Sequence, residues 1–342
     1  MHKKLIALAV AGLVAAPAMA QSNVTIYGLV DVGVSYRGDN IAPGVGSKFS
    51  VDSGIQSGNR LGFKGTEDLG NGLKAGFVLE TGFGIEQPEF RNGSAFGRQA
   101  FVTLSGGFGT LAVGRVYTPQ FNLLSSVDPF GLFGTVGQMS NLYKTDVRVD
   151  NTVAYISPSF SGLTVTAAYV NNLSGAETAG NDNDTRVFAL SPVYKNGPIL
   201  LGLNYHKIDP QAAGSPSQDV WDLAGSYDFG VAKVAAAYGY REVNATDERN
   251  SWMLGVTVPV SGAGRVLASY NYTKLDVSGT SVDPKSTQWA IGYLHDLSKR
   301  TNLYVAYADI SNKKGANASV GDASNDGAGY QSGFNIGIRH KF

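Results

Sequence analysis

The chain has 342 residues, with 27 Lys plus Arg balanced by 27 Asp plus Glu, and no cysteine. There is thus no global basic excess for nucleic acid, and without thiols there is neither a disulfide framework nor a thiolate metal centre. The 44 Gly, 17 Tyr and 16 Phe do not suit a disordered chain, which lacks aromatics, and no stretch has the apolar length of a membrane-spanning helix.

The first element is an export signal. His2, Lys3 and Lys4 form a positive stretch, residues 5–16 an apolar one, and Ala18-Met19-Ala20 a small-x-small cleavage site. The apolar run is too short to span a bilayer, which takes about 20 residues. Residues 1–20 are therefore expected to be removed. A single domain, 21–342, then starts at Gln21 and lies two charges to the acidic side once Lys3 and Lys4 are lost.

Beyond the signal the sequence alternates. Period-two segments predict strands at 24–36, 60–68, 73–82, 98–104, 109–117, 151–157, 163–171 and 184–194. They continue at 199–208, 219–228, 231–242, 249–259, 264–276, 285–296, 301–310 and 330–342. Tight turns such as Gly70-Asn71-Gly72, Gly106-Gly107-Phe108 and Lys195-Asn196-Gly197-Pro198 alternate with long polar gaps such as 172–183, 209–218 and 311–329. The last strand shows the pattern plainly. Tyr330, Phe334, Ile336, Ile338 and Phe342 share one face, and Gln331, Asn335, Arg339 and Lys341 the other. Trp289, Ile291 and Tyr293 form a similar greasy face, as do Leu303, Val305 and Tyr307, with aromatics placed to suit interfacial girdles. These features predict an all-β fold, a 16-stranded antiparallel transmembrane β-barrel of the outer membrane. Short turns and both termini would lie on the periplasmic side. A soluble β-sandwich shares the alternation but seldom strings sixteen strands into one meander.

Tyr27-Gly28-Leu29-Val30-Asp31, the run from Arg60 to Asp68 (RLGFKGTED), Arg98-Gln99-Ala100-Phe101-Val102, Gly114-Arg115-Val116-Tyr117-Thr118-Pro119 and the terminal Phe342 follow one another in a specific order and spacing. Over the whole mature chain this resembles the general trimeric porins of Gram-negative outer membranes, and most closely their beta-proteobacterial branch. The resemblance implies a homotrimer in which each protomer has its own water-filled pore, narrowed by an inward-folded third external loop. The matching gap is 119–147, whose Phe121-Asn122-Leu123-Leu124 and Phe130-Gly131-Leu132-Phe133-Gly134 are too apolar for exposure to water. An added strand, or a helix over the mouth, is the competing reading.

The resemblance also implies a pore constriction made of Arg60, Arg98 and Arg148 facing Asp128 on the loop, with Asp146 a second loop acid. Alternation adds Glu80, which shares a face with Lys74, Gly76 and Val78, and sets Arg60 with Gly62 and Lys64 opposite Leu61 and Phe63. Lys64, Lys74 and Asp31 are secondary lumen candidates. Arg98 is expected on the face opposite Phe101, and Gln99 and Thr103 are expected to point outward, toward a neighbouring protomer. The gap 83–97 reads either as the family's latch over that neighbour or as an ordinary solvated loop. Two departures from the family pattern stand out: one clear acid on the loop, and Leu29 where some relatives carry lysine.

Three arginines against two acids imply a modest anion preference that screening by salt weakens. The chain reads as a general diffusion porin for ions and small hydrophilic solutes, embedded in outer-membrane lipid and lipopolysaccharide. Alternatives are a solute-specific barrel channel, a surface adhesin and an outer-membrane barrel lipase. Of the histidines, His2 leaves with the signal, while His206, His295 and His340 are each isolated. There is no G-x-S-x-G, H-E-x-x-H or P-loop. No catalytic residue, cofactor or metal site is expected, and the acidic pairs Asp182/Asp184 and Asp322/Asp326 read as loop solvation, with divalent cations as the alternative.

Overall fold

The computed structural model describes residues 23–41, 44–132, 134–177, 184–321 and 329–342. The export signal, its cleavage site, Phe133, Asp182, Asp322 and Asp326 lie outside the described residues. Sixteen long strands build the wall: β1 (Asn23–Asn40), β3 (Arg60–Gly70), β4 (Leu73–Phe83), β6 (Gln99–Gly106), β7 (Gly109–Tyr117), β8 (Arg148–Ile156), β9 (Leu163–Val170), β10 (Thr185–Asn196), β11 (Ile199–Pro210), β12 (Gln218–Asp228), β13 (Lys233–Glu242), β14 (Glu248–Pro259), β15 (Gly264–Asp276), β16 (Lys285–Asp296), β17 (Thr301–Lys313) and β18 (Tyr330–Lys341). Each pairs antiparallel with the next long strand, and β18 pairs with β1, which closes the barrel. Closure runs to the last residue: Phe342 N–H donates to the Gly28 carbonyl at 3.1 Å, and Gly28 N–H to that of Phe342 at 3.0 Å. Two short strands add to the predicted set, β2 (Lys48–Ser53) beside the upper half of β1 and β5 (Phe90–Arg91) at the end of β4.

The wall is inverted relative to a soluble sheet. Trp221, Leu223, Leu254, Trp289, Ile291, Leu303 and Ile336 are exposed on the outside, whereas Asn204, Asp222, Ser251, Gln288, Asn302 and Asn335 are buried on the inside. A soluble sandwich would bury the first set. A closed sheet with an apolar exterior satisfies every backbone group without water, which is what lipid demands.

The segment 118–147 opens with a short helix, α1 (Pro119–Ser125). Thr118 Oγ1 caps it by accepting from Phe121 N–H at 3.0 Å, and Pro119 fits the first turn because it has no N–H to lose. Leu123, Leu124, Val127, Leu132 and Met139 pack with Ala224, Ala235, Ala237 and Met253. Phe130, Val136 and Leu142 pack with Leu267, Ala290, Leu294 and Ala306. These wall residues share the face of Asp222 and Asn302, so the two larger apolar clusters lie between the segment and the inner side of β12–β18. Alanines there make room for the segment's leucines.

The face assigned to β6 needs correction. Glu80 is the cross-strand partner of Gln99, and Gly76 that of Thr103. Directly opposed residues share a face, so Gln99, Phe101 and Thr103 line the inside and Ala100, Val102 and Leu104 the outside. Arg98 escapes alternation because β6 begins one residue after it.

Candidate functional site

Arg60, Arg98 and Arg148 are brought together. With Arg91, Asn59, Asn92, Tyr117, Phe121 and Val147 they line a cavity of about 320 Å³. Each arrives by a different route. Arg60 is the first residue of β3 and its Nε donates to the Gly58 carbonyl at 3.0 Å. Arg98 sits on the turn into β6, under Gly58 and Gly82, where a Cβ at either position would approach its side chain to within 3.2 Å. Arg148 opens β8, three residues earlier than the predicted start.

Tyr117 joins two of the three. Its hydroxyl accepts from Arg98 Nη2 at 2.6 Å and from Arg148 Nη2 at 3.1 Å, and the Arg148 guanidinium lies 4.8 Å from the ring centroid. The same ring stacks on Phe121 of α1 at 4.4 Å, which ties the arginines to the loop segment. Tyr117 ends β7 just past a slip in its pairing with β8, where Gly114 opposes Thr152 but Val116 opposes Val149, so that the extra residue stands on β8. Gly114 adopts φ +134°, and a Cβ would sit 2.2 Å from the Ala100 carbonyl oxygen, so only glycine fits at this point of β7. Strict alternation along β7 misses Tyr117; a glycine in the strand just before it is the signal that marks the irregularity.

Charge is unevenly balanced around the cavity. Glu80 is buried and accepts from Arg98 Nε at 2.8 Å and from the Tyr27 hydroxyl at 3.0 Å. Tyr27 reaches it by lying across Gly62, where a Cβ would stand 2.3 Å from the ring. Arg91 pairs with Glu86. Among the described residues no carboxylate pairs with Arg60 or Arg148, and Arg148 Nε is buried without a partner. Desolvating a guanidinium without an acid beside it leaves a strong local positive potential.

The remaining candidates are spread out. Asp128 is buried and accepts from Phe130 N–H at 3.0 Å and Met139 N–H at 2.8 Å. Burial pushes its carboxyl up to about 6, against the lowering effect of those two bonds. Asp146 pairs with Arg241 and accepts from His206 Nε2 at 3.1 Å. Burial raises its pKa, but the His206 bond and Arg241 outweigh it and hold the acid below the ordinary carboxylate range. Asp31 is fully buried, accepting from the Tyr304 hydroxyl at 2.6 Å and Ser57 N–H at 2.8 Å. It thereby ties down residues 54–59, with Ile55 buried in an apolar core. Lys64 lies 5.2 Å from the Tyr27 ring centroid, and Lys74 is exposed.

The 118–147 segment bonds to buried inner-wall side chains at several places. Asp222 accepts from Gln120 Nε2 at 2.9 Å, the Tyr143 hydroxyl at 2.8 Å and Asn204 Nδ2 at 2.8 Å. Val136 N–H donates to Asn335 Oδ1 at 2.7 Å, and Asn141 Nδ2 to Gln288 Oε1 at 2.7 Å. Polar residues in the middle of otherwise apolar strands are the sequence signal for these anchors.

A family model described as Gram-negative porin matches residues 7–315. The chain is 35% identical to outer membrane porin protein 32 of Delftia acidovorans, with both chains covered in full. Among solved structures, the anion-selective porin from Comamonas acidovorans is 31% identical with a TM-score of 0.76, covering 94% of this chain and 100% of that one. The trimer form of OmpT of Vibrio cholerae shares the fold at 16% identity and a TM-score of 0.71, over 94% of this chain and 99% of that one.

Proposed function

This chain belongs to the Gram-negative porin family, and from that premise we propose a general diffusion channel whose narrowest passage runs between Arg60, Arg98 and Arg148 and the inward-folded segment 118–147. The single observation that supports this most is the convergence of three arginines from three elements on one cavity, two of them without a carboxylate partner among the described residues. A passage lined this way draws small anions and passes hydrophilic solutes without binding them covalently. The anion-selective relative supports the same sign of preference. Glu80 moderates Arg98, Lys64 and Lys74 add positive charge along the wall, and Asp128 acts by shaping the segment instead of offering its charge to the passage. The segment's many bonds to β11–β18 suit a fixed restriction.

The channel works as a homotrimer in outer-membrane lipid and lipopolysaccharide, as the trimeric member of this fold supports. It performs no turnover. Planar-bilayer recordings in a salt gradient test the site. Replacing Arg60, Arg98 and Arg148 together with glutamine should move the reversal potential toward cation preference. An unmoved potential would show that the filter lies elsewhere.

A further inference from the structure

We propose that residues 54–59 form a second restriction of the passage, a strand bulge turned into the lumen beside the arginines, and that this bulge helps set the size limit for solutes. The proposal rests on the channel reading above and adds a restricting element from a different part of the chain than the 118–147 segment.

Register carries the geometry. β2 and β3 run along the same edge of β1, both antiparallel to it. Ser53 is the cross-strand partner of Val32, and pairing resumes with Arg60 opposite Leu29. Between these two pairs β1 has two residues, Val30 and Asp31, whereas the opposing chain has six, 54–59. Two would complete an unbroken strand, so four are extra. Extra residues have no partners in the ladder and must leave the sheet.

They leave it inward. Asn302, Arg339 and Asp31 oppose one another across β17, β18 and β1, so they share the inner face. All three are bonded to the bulge. Ser57 N–H donates to Asp31 Oδ2 at 2.8 Å, Arg339 Nη1 donates to Ser57 Oγ at 3.0 Å, and Asn302 Nδ2 donates to Gln56 Oε1 at 2.9 Å. Ile55 is completely buried in the apolar cluster that holds Leu267, Leu294 and Tyr304. The neck is closed on both sides of Asp31: Gly54 N–H donates to its carbonyl at 2.7 Å, and its own N–H donates to Asn59 Oδ1 at 2.6 Å. Six residues pinned to three strands in this way stand fixed in the lumen.

The limb that returns to β3 borders the passage. Gly58 and Asn59 line the arginine cavity together with Phe121 and Val147 of the other segment. The Gly58 carbonyl accepts from Arg60 Nε at 3.0 Å, and a Cβ on Gly58 would stand 3.0 Å from Arg98 Nη1. The bulge itself carries no charged side chain. It therefore acts on the passage by occupying space, and a neutral solute should register its presence as much as an ion does.

The test deletes residues 55–58, which leaves Gly54 and Asn59 as the two residues needed opposite Asp31 and Val30. In planar bilayers the deletion should raise single-channel conductance about 1.5-fold in 1 M KCl, where the Debye length is about 3 Å and lumen charge counts little. In liposome swelling it should speed entry of a neutral trisaccharide relative to a neutral monosaccharide. Unchanged conductance and an unchanged sugar ratio in the trimeric variant would overturn the second restriction. Should the deletion fail to assemble, the chain's lack of cysteine offers a probe that keeps the bulge. Gly58→Cys puts a single thiol at the cavity wall, where a bulky neutral methanethiosulfonate reagent should attach and cut conductance about twofold in 1 M KCl. No attachment, or attachment with unchanged current, would overturn the proposal equally. The two readings fail separately. An unmoved reversal potential in the Arg60/Arg98/Arg148 variant defeats the filter, and an inert bulge deletion defeats the second restriction while the filter stands.

Discussion

The two sides of the lumen solve opposite problems with the same wall. On β3–β8 the charged groups are left partly unmatched around an open cavity of about 320 Å³, and Tyr117 supplies two arginines with only a shared hydroxyl. On β11–β18 several buried polar groups bond directly to the 118–147 segment, and Leu124, Val136 and Met139 pack between them fully buried. On the proposed reading, one side meets what passes and the other holds the segment still. Changes on the packed side should cost stability, and changes on the arginine side should alter selectivity.

The largest effect is expected from Leu124→Ala. The side chain is completely buried between segment and wall, so its truncation should cost about 2–5 kcal/mol in urea unfolding of the detergent-solubilised protein. A loss below about 1 kcal/mol would mean that the segment is not packed as described.

Asp128 gives a pH signature on the same side. Its folded pKa of about 6 lies above the unfolded value of about 3.9, so this group favours the folded state fully below about pH 4. That contribution is lost as pH rises through 6, to the extent of about 3 kcal/mol. Comparing unfolding midpoints from pH 4 to 7, Asp128→Asn should remove this downward component from the profile. Parallel profiles would show that Asp128 does not titrate in the window.

Asp222→Asn should cost about 1–3 kcal/mol, since three side-chain donors converge on a carboxylate and the amide presents donors of its own. It should also raise open-channel current noise as the segment loosens. The smallest stability effect should come from Tyr117→Phe, about 1 kcal/mol for the lost hydroxyl bonds. This variant separates the two sides most cleanly, because Arg98 and Arg148 lose their common acceptor and the reversal potential should shift while unfolding barely changes. A stability loss with unchanged selectivity would place Tyr117 with the packed side.

Most of the wall was legible because lipid outside and water inside impose strict alternation on every strand; Trp289, Ile291 and Leu303 could be assigned by counting. Counting fails where the backbone departs from the pleat. The slip in register where β7 ends against β8 hid Tyr117, and the turn before β6 put Arg98 inside while Gln99 and Thr103, expected outside, share the face of Glu80. The three arginines came from resemblance, and the structure gathers them. The 54–59 segment was missed because its position depends on long-range bonds, such as Asp31 to Ser57, that no local pattern announces. The helix α1 was announced: Thr118-Pro119 is a start signal, read there only as a motif ending a strand.

The join between the first and last strands has a consequence for how the protein comes to exist. Asn335 bonds to Ser35 across 300 residues of chain, and β1 has no partner on that edge until β18 has been made and exported. In a bilayer an open edge leaves a row of N–H and C=O groups unsatisfied at several kcal/mol each. Insertion therefore cannot be finished piecemeal from the amino end. A message truncated by its final dozen codons would yield no narrower channel, only a sheet that lipid rejects.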